Sequence, residues 1–179
     1  MSIKPHLADL VKRGLLQPFV LKHPRCEKRA LYFTPDVDKE ITSTSSAVNF
    51  HGARADCVRA MERWVAGDGV DMSLSGPGRE TLLARLDSPP ADVWEIRVTE
   101  PKVHFRIFCQ FASRDVLIAT HIRTRSSLGA KHRASGVRSK EWTSAMHACR
   151  AACQKLLPPH VALSGDDPSL FVSEKYHVI

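Results

Sequence analysis

Residues 93–125 read VWEIRVTEPKVHFRIFCQFASRDVLIATHIRTR, and the patterning of this stretch decides the fold. Three runs alternate with period two, the spacing that sends successive side chains to opposite faces of a sheet. In Val93–Thr99, Trp94, Ile96 and Val98 alternate with Glu95 and Arg97. In Val103–Phe111, Val103, Phe105, Ile107, Cys109 and Phe111 alternate with His104, Arg106, Phe108 and Gln110. In Asp115–Arg123, Val116, Ile118, Thr120 and Ile122 alternate with Leu117, Ala119, His121 and Arg123. Short connections predict an antiparallel meander. One face is almost wholly apolar; the other mixes apolar residues with Arg97, His104, Arg106, His121 and Arg123.

Outward from the meander, two helices are legible. Over Gly52–Asp68, Cys57, Met61, Trp64 and Val65 fall on one stripe, and Gly67-Asp68-Gly69 ends the helix. Downstream, Ser139 is an N-cap for a helix reaching Leu157, with Trp142, Met146, Cys149, Cys153 and Leu156 on its apolar stripe and Pro158-Pro159 as its stop. A shorter helix is expected near Leu7–Leu16, and a β-leaning run at Leu31–Thr34. Residues 70–78 read as a loop, Arg79–Leu86 as one or two helical turns, and Leu170–Val172 as a late strand. Residues 124–138, small, polar and basic, read as a loop.

Charge is confined to the same region. The chain of 179 residues carries a formal net charge of +7. Between Arg97 and Lys140 stand ten basic residues and two acids, Glu100 and Asp115, a local excess of +8 that leaves −1 for everything else. Such confinement is the footprint of a polyanionic partner, most often nucleic acid. Alternation can bring Arg97, Arg106 and Arg123 from three successive strands to one side. Like charges so placed repel unless an anion sits between them. The competing reading is that each arginine pairs with Glu95, Glu100 or Asp115, or faces water. His104, His121 and His132 are the groups suited to proton transfer near neutral pH.

Other chemistry lacks its residues. Cys149 and Cys153 lie on the apolar stripe while His147 points away from it, so they read as core and no metal is expected. The run Ser73-Leu74-Ser75-Gly76-Pro77-Gly78 lacks the Lys-Ser/Thr ending of a phosphate-binding loop, and GxSxG, HExxH and paired-carboxylate patterns are missing. Five cysteines without a CxxC pair argue against a disulfide framework and for a reducing cytoplasm. Met1–Asp9 has no apolar core of a secretory signal, and no stretch has the length and apolarity of a membrane span.

The runs Trp94-Glu95-Ile96-Arg97 and Phe105-Arg106-Ile107, then His121, then the 139–157 helix, resemble in order and spacing the sheet and last helix of RelE-superfamily toxins, in their phage-derived, HigB-like branch. The helix at 53–66 fits the family's helix-before-sheet order. Ile122-Arg123 and Arg125-Ser126 replace the family's Gly-Phe and lysine pair. The resemblance implies a cytoplasmic endoribonuclease that cleaves messenger RNA on the ribosome without cofactor or metal, held in check by a cognate antitoxin of helix-turn-helix type. In that chemistry the ribose 2′-hydroxyl attacks the adjacent phosphate, so arginines stabilise developing charge and a histidine moves a proton. Arg97, Arg106, His121 and Arg123 then form the catalytic set, and His104, Arg125, Lys131, His132 and Arg133 contact RNA. The alternative is a non-catalytic RNA- or ribosome-binding module on the same scaffold, or a phage interaction protein. The expected architecture is α+β: a twisted antiparallel sheet of three to five strands, helices mainly on one face. The expected domain spans 51–158, with an extension at 1–50 and a tail at 159–179.

Overall fold

A computed structural model describes residues 2–22, 27–42, 50–76, 81–86, 92–99, 104–129 and 138–179. The meander is present as β5 (Trp94–Val98), β6 (Phe105–Ser113) and β7 (Val116–Thr124), paired antiparallel. It forms the middle of a larger sheet. On one side stand β2 (Ala30–Phe33), parallel to β7, and β1 (Gln17–Pro18), antiparallel to β2. On the other stand β4 (Leu83–Arg85), β3 (Val70–Ser73) and β8 (Tyr176–Val178). The strand order is β1-β2-β7-β6-β5-β4-β3-β8, with β3 parallel to both β4 and β8.

The expected small antiparallel sheet with helices mainly on one face is therefore corrected to an eight-stranded mixed sheet with helices on both. Physically, β6 is buried on both faces from Phe105 to Ala112, and such a strand needs a helical layer on each side. One face takes α2 (Pro35–Thr42) and α3 (Phe50–Ala66). Val37 and the Cys57, Met61, Trp64, Val65 stripe pack there against Ile96, Ile107, Phe111 and Leu117. The other face takes α1 (Lys4–Lys12) and α4 (Lys140–Leu156). Leu7, Leu10 and Cys153 meet Ala112 and Ile118, and Trp142, Met146 and Cys149 meet Phe108 and Val93. Val93, Phe108, Ala112 and Ile118 are apolar residues of this face, and they draw these two helices onto it.

Local surprises have identifiable causes. Residues 70–78 and 79–86 were expected as loop and helix, yet each supplies a short strand, because three or four residues carry too little periodicity to declare themselves. On β7 the register slips between the Phe108–His121 and Cys109–Ala119 pairs, so Thr120 is an extra, bulged residue. The bulge switches parity. Leu117, Ala119 and Ile122 share the α3 face, whereas Ile118, His121 and Arg123 share the α4 face.

Both chain ends belong to the sheet. Arg29, buried over the Trp64 ring at 5.0 Å, donates to the carbonyls of Asp68 and Glu174 and pairs with Asp115 at 3.6 Å. Asp115 forms the β6–β7 turn with φ 63°, a backbone region that Asp tolerates better than most residues. Its Oδ1 accepts from the Ser173 amide at 3.0 Å. Beyond the pairing of β2 with β7 and of β8 with β3, Arg29 and the Asp115 turn thus tie the segment before β2 to the segment before β8.

Candidate nucleic-acid interface

Register places the three sheet arginines in one row: Arg97 stands opposite Arg106, and Arg106 opposite Arg123. All three project from the α4 face, at the end of the sheet remote from the Arg114-Asp115 turn. In the neighbouring row Glu95 stands opposite Phe108, and Phe108 opposite His121.

The row is not uniform in depth. Arg106 is 4 % exposed, and its Nε lies 3.1 Å from a carboxylate oxygen of Glu95, a residue 0 % exposed. Its Nη1 donates to the carbonyls of Phe105 at 2.7 Å and Val98 at 3.3 Å. The Nε of Arg97, mostly covered, lies 3.5 Å from the other oxygen of Glu95. Arg123 is exposed and donates to the Ile122 carbonyl at 2.8 Å. Two of the three arginines therefore share a buried protein carboxylate, and the third faces solvent. Of the two readings left open by the sequence, pairing with Glu95 applies to Arg97 and Arg106.

Glu95 is the centre of a wider cluster. Burial pushes its carboxyl up to about 7, against the pull of Arg106, Arg97, Arg138 and Arg125 in that order. Burial likewise lowers the pKa of Arg106 and Arg138. Arg138 donates to the Leu86 carbonyl and lies 3.4 Å from the Met146 sulfur. Arg125 donates to the Gly129 carbonyl at 2.5 Å and covers the Trp142 ring at 5.6 Å. Sequence reading missed Glu95 as the organising group and left Arg138 out of the site. A glutamate flanked by two apolar residues on a strand was the available signal.

The first turn of α4 closes this end. Ser139 caps it, accepting from the Trp142 amide at 3.2 Å while its hydroxyl donates to the Leu128 carbonyl of the 3-10 turn Ser126–Leu128. Between that turn, β7 and α4 runs an open cleft of about 440 Å³ lined by Arg123, Ser127, Lys140, Glu141 and Ser144 among others. The described cations here are Arg97, Arg106, Arg123, Arg125, Arg138 and Lys140, against Glu95 and Glu141.

The histidines separate. His121 is half-buried beside Arg123, with Nδ1 2.9 Å from the Thr120 hydroxyl. Burial and Arg123 lower its pKa, so it is neutral at pH 7. His104 is exposed, its carbonyl accepting from the Arg125 amide at 2.7 Å. Lys131, His132 and Arg133 lie outside the described residues. Cys149 and Cys153 are buried in the core. Among the described residues no group of three metal-ligating side chains gathers, and no helix is long and apolar enough to cross a membrane. In comparisons with protein families, curated proteins and solved structures, nothing matches this chain.

Proposed function

We propose that this protein binds RNA through its phosphate backbone, without cleaving it, at the sheet end where Arg97, Arg123, Arg125, Arg138 and Lys140 meet the first turn of α4. The observation that carries this reading is the confinement of all net charge to residues 97–140, together with the grouping of its described cations, Arg114 apart, at one end of the sheet. Backbone contacts by clustered arginine and lysine supply most of the sequence-independent affinity for nucleic acid. Binding rather than cleavage is favoured because Arg106, the best-centred arginine, is committed to Glu95 and two carbonyls and has no surface to offer a phosphate.

A second reading keeps the endoribonuclease chemistry with a reduced set. Its support is His121, a neutral imidazole adjacent to the exposed Arg123 and so able to accept a proton. One experiment separates the two. A fluorescently labelled RNA is titrated with the protein near 0.1 M salt, and the bound RNA is then run on a denaturing gel. Saturable binding with intact RNA is expected. Absence of binding overturns the RNA reading, and cleavage abolished by His121→Ala transfers it to the second one.

A further inference from the structure

Among the described residues the basic end has cations but no exposed phenyl, phenol or indole ring on which a base can stack; the exposed ring there is the imidazole of His104. Of Phe, Tyr and Trp, residues 97–140 contain three, Phe105, Phe108 and Phe111, and each is at most 2 % exposed. Trp142, next along the chain, is buried against Phe108 at 5.6 Å and covered on its other side by the Arg125 guanidinium. The half-buried Tyr32 and Tyr176 stand on β2 and β8, away from this end.

The cations are also fixed in place. Arg123, Arg125 and Arg138 each donate to a protein carbonyl, those of Ile122, Gly129 and Leu86 respectively. They come from three different elements: β7, the 3-10 turn and the approach to α4. A guanidinium held at one N–H presents its remaining donors in a set direction, which suits a rigid, regular array of phosphates better than a flexible chain.

Single strands bound without sequence preference are normally held by aromatic stacking added to a basic groove. A double helix hides its base faces and offers a denser line of charge, and duplex RNA is recognised chiefly by shape, phosphates and 2′-hydroxyls. We infer that the nucleic acid this site takes is double-helical RNA, gripped by its backbone. The inference rests on the RNA-binding reading and names its substrate class.

The test compares three unmodified ligands of about twenty nucleotides or base pairs, in competition with one labelled duplex: single-stranded RNA, its RNA duplex, and the DNA duplex of the same sequence. The full chain is used. The RNA duplex is expected to compete about tenfold or more better than the single strand, with the DNA duplex no better than the RNA duplex. A single strand that competes as well as the duplex overturns the inference and leaves RNA binding intact. Tenfold preference for the DNA duplex overturns the assignment to RNA. A labelled duplex and a labelled single strand that both fail to bind overturn the inference and the RNA-binding reading together. Arg123→Gln with Lys140→Gln, two exposed substitutions, should weaken duplex binding by about tenfold or more; unchanged affinity would remove the site from this face.

Discussion

Replacing Arg106 with Ala distinguishes a buried ion-pair partner from a catalytic group directly. The sequence alone predicts a change that spares the fold and costs activity, since the core neighbours Phe105 and Ile107 remain and like-charge repulsion is relieved while a phosphate donor is lost. The structure predicts the reverse. Loss of the guanidinium leaves Glu95 fully buried with Arg97 as its nearest counterion at 3.5 Å, and deprives the Phe105 and Val98 carbonyls of a donor. Breaking a buried pair from one side costs about 3–5 kcal/mol, because a charge is stranded out of water. Arg97 offsets part of this, so about 3 kcal/mol is expected at pH 8. At pH 5 Glu95, already raised to about 7, is protonated in the folded state, and about 1–2 kcal/mol remains from lost hydrogen bonds and packing. In urea unfolding, where a chain of this size loses about 2–3 kcal/mol per molar, the midpoint should fall by about 1 M at pH 8 and by about half that at pH 5. Arg123→Ala, an exposed control in the same row, should stay within about 0.5 kcal/mol of the parent. An Arg106→Ala protein as stable as the parent at both pH values would refute the buried pair.

Three further outcomes follow from named contacts. Glu95 has a folded pKa of about 7 against an ordinary 4.5, so between those values the folded state holds a proton the unfolded chain has released. Its contribution therefore weakens stability as pH rises through that window, by about 3 kcal/mol, and Glu95→Gln should flatten this part of the stability–pH curve; an unchanged slope would contradict it. Ser139→Ala removes the cap of α4 and should cost about 1 kcal/mol in the same urea assay, with Ser139→Asp recovering part of it. Gly67→Ala should destabilise by at least about 1 kcal/mol, since Gly67 has φ 71° and a new Cβ would sit 2.7 Å from that of Lys28; a neutral result would contradict this turn geometry.

The central meander was legible because strands of five and nine residues with alternation along them leave little choice of period. The α3 and α4 stripes were legible for the same reason, seventeen residues being enough to show helical spacing. The flanking strands, β2 apart, were not. β1, β3, β4 and β8 have two to four residues each, and what makes them strands is pairing with partners distant in sequence, such as Val70 with Tyr176. Covering of the second face was visible only in residues such as Val93 and Phe108, which compete in the sequence with the arginines around them. Parity along β7 was misread because a bulge at Thr120 leaves no local mark. At the candidate site, alternation brought Arg97, Arg106 and Arg123 to one side. It carries no information on depth, so it could not distinguish Arg106, buried beside Glu95, from Arg123 at the surface.

Salt dependence of RNA binding tests the phosphate-contact claim most directly. The association constant is measured by anisotropy between about 50 and 200 mM salt, for the parent and for a variant carrying Arg123→Gln and Lys140→Gln. With four or five cations at the site, the logarithmic slope for the parent should be about −4. Removal of two phosphate contacts should bring it to about −2 while the fold stays intact. A flat salt response in the parent, or the same slope in parent and variant, would contradict the account.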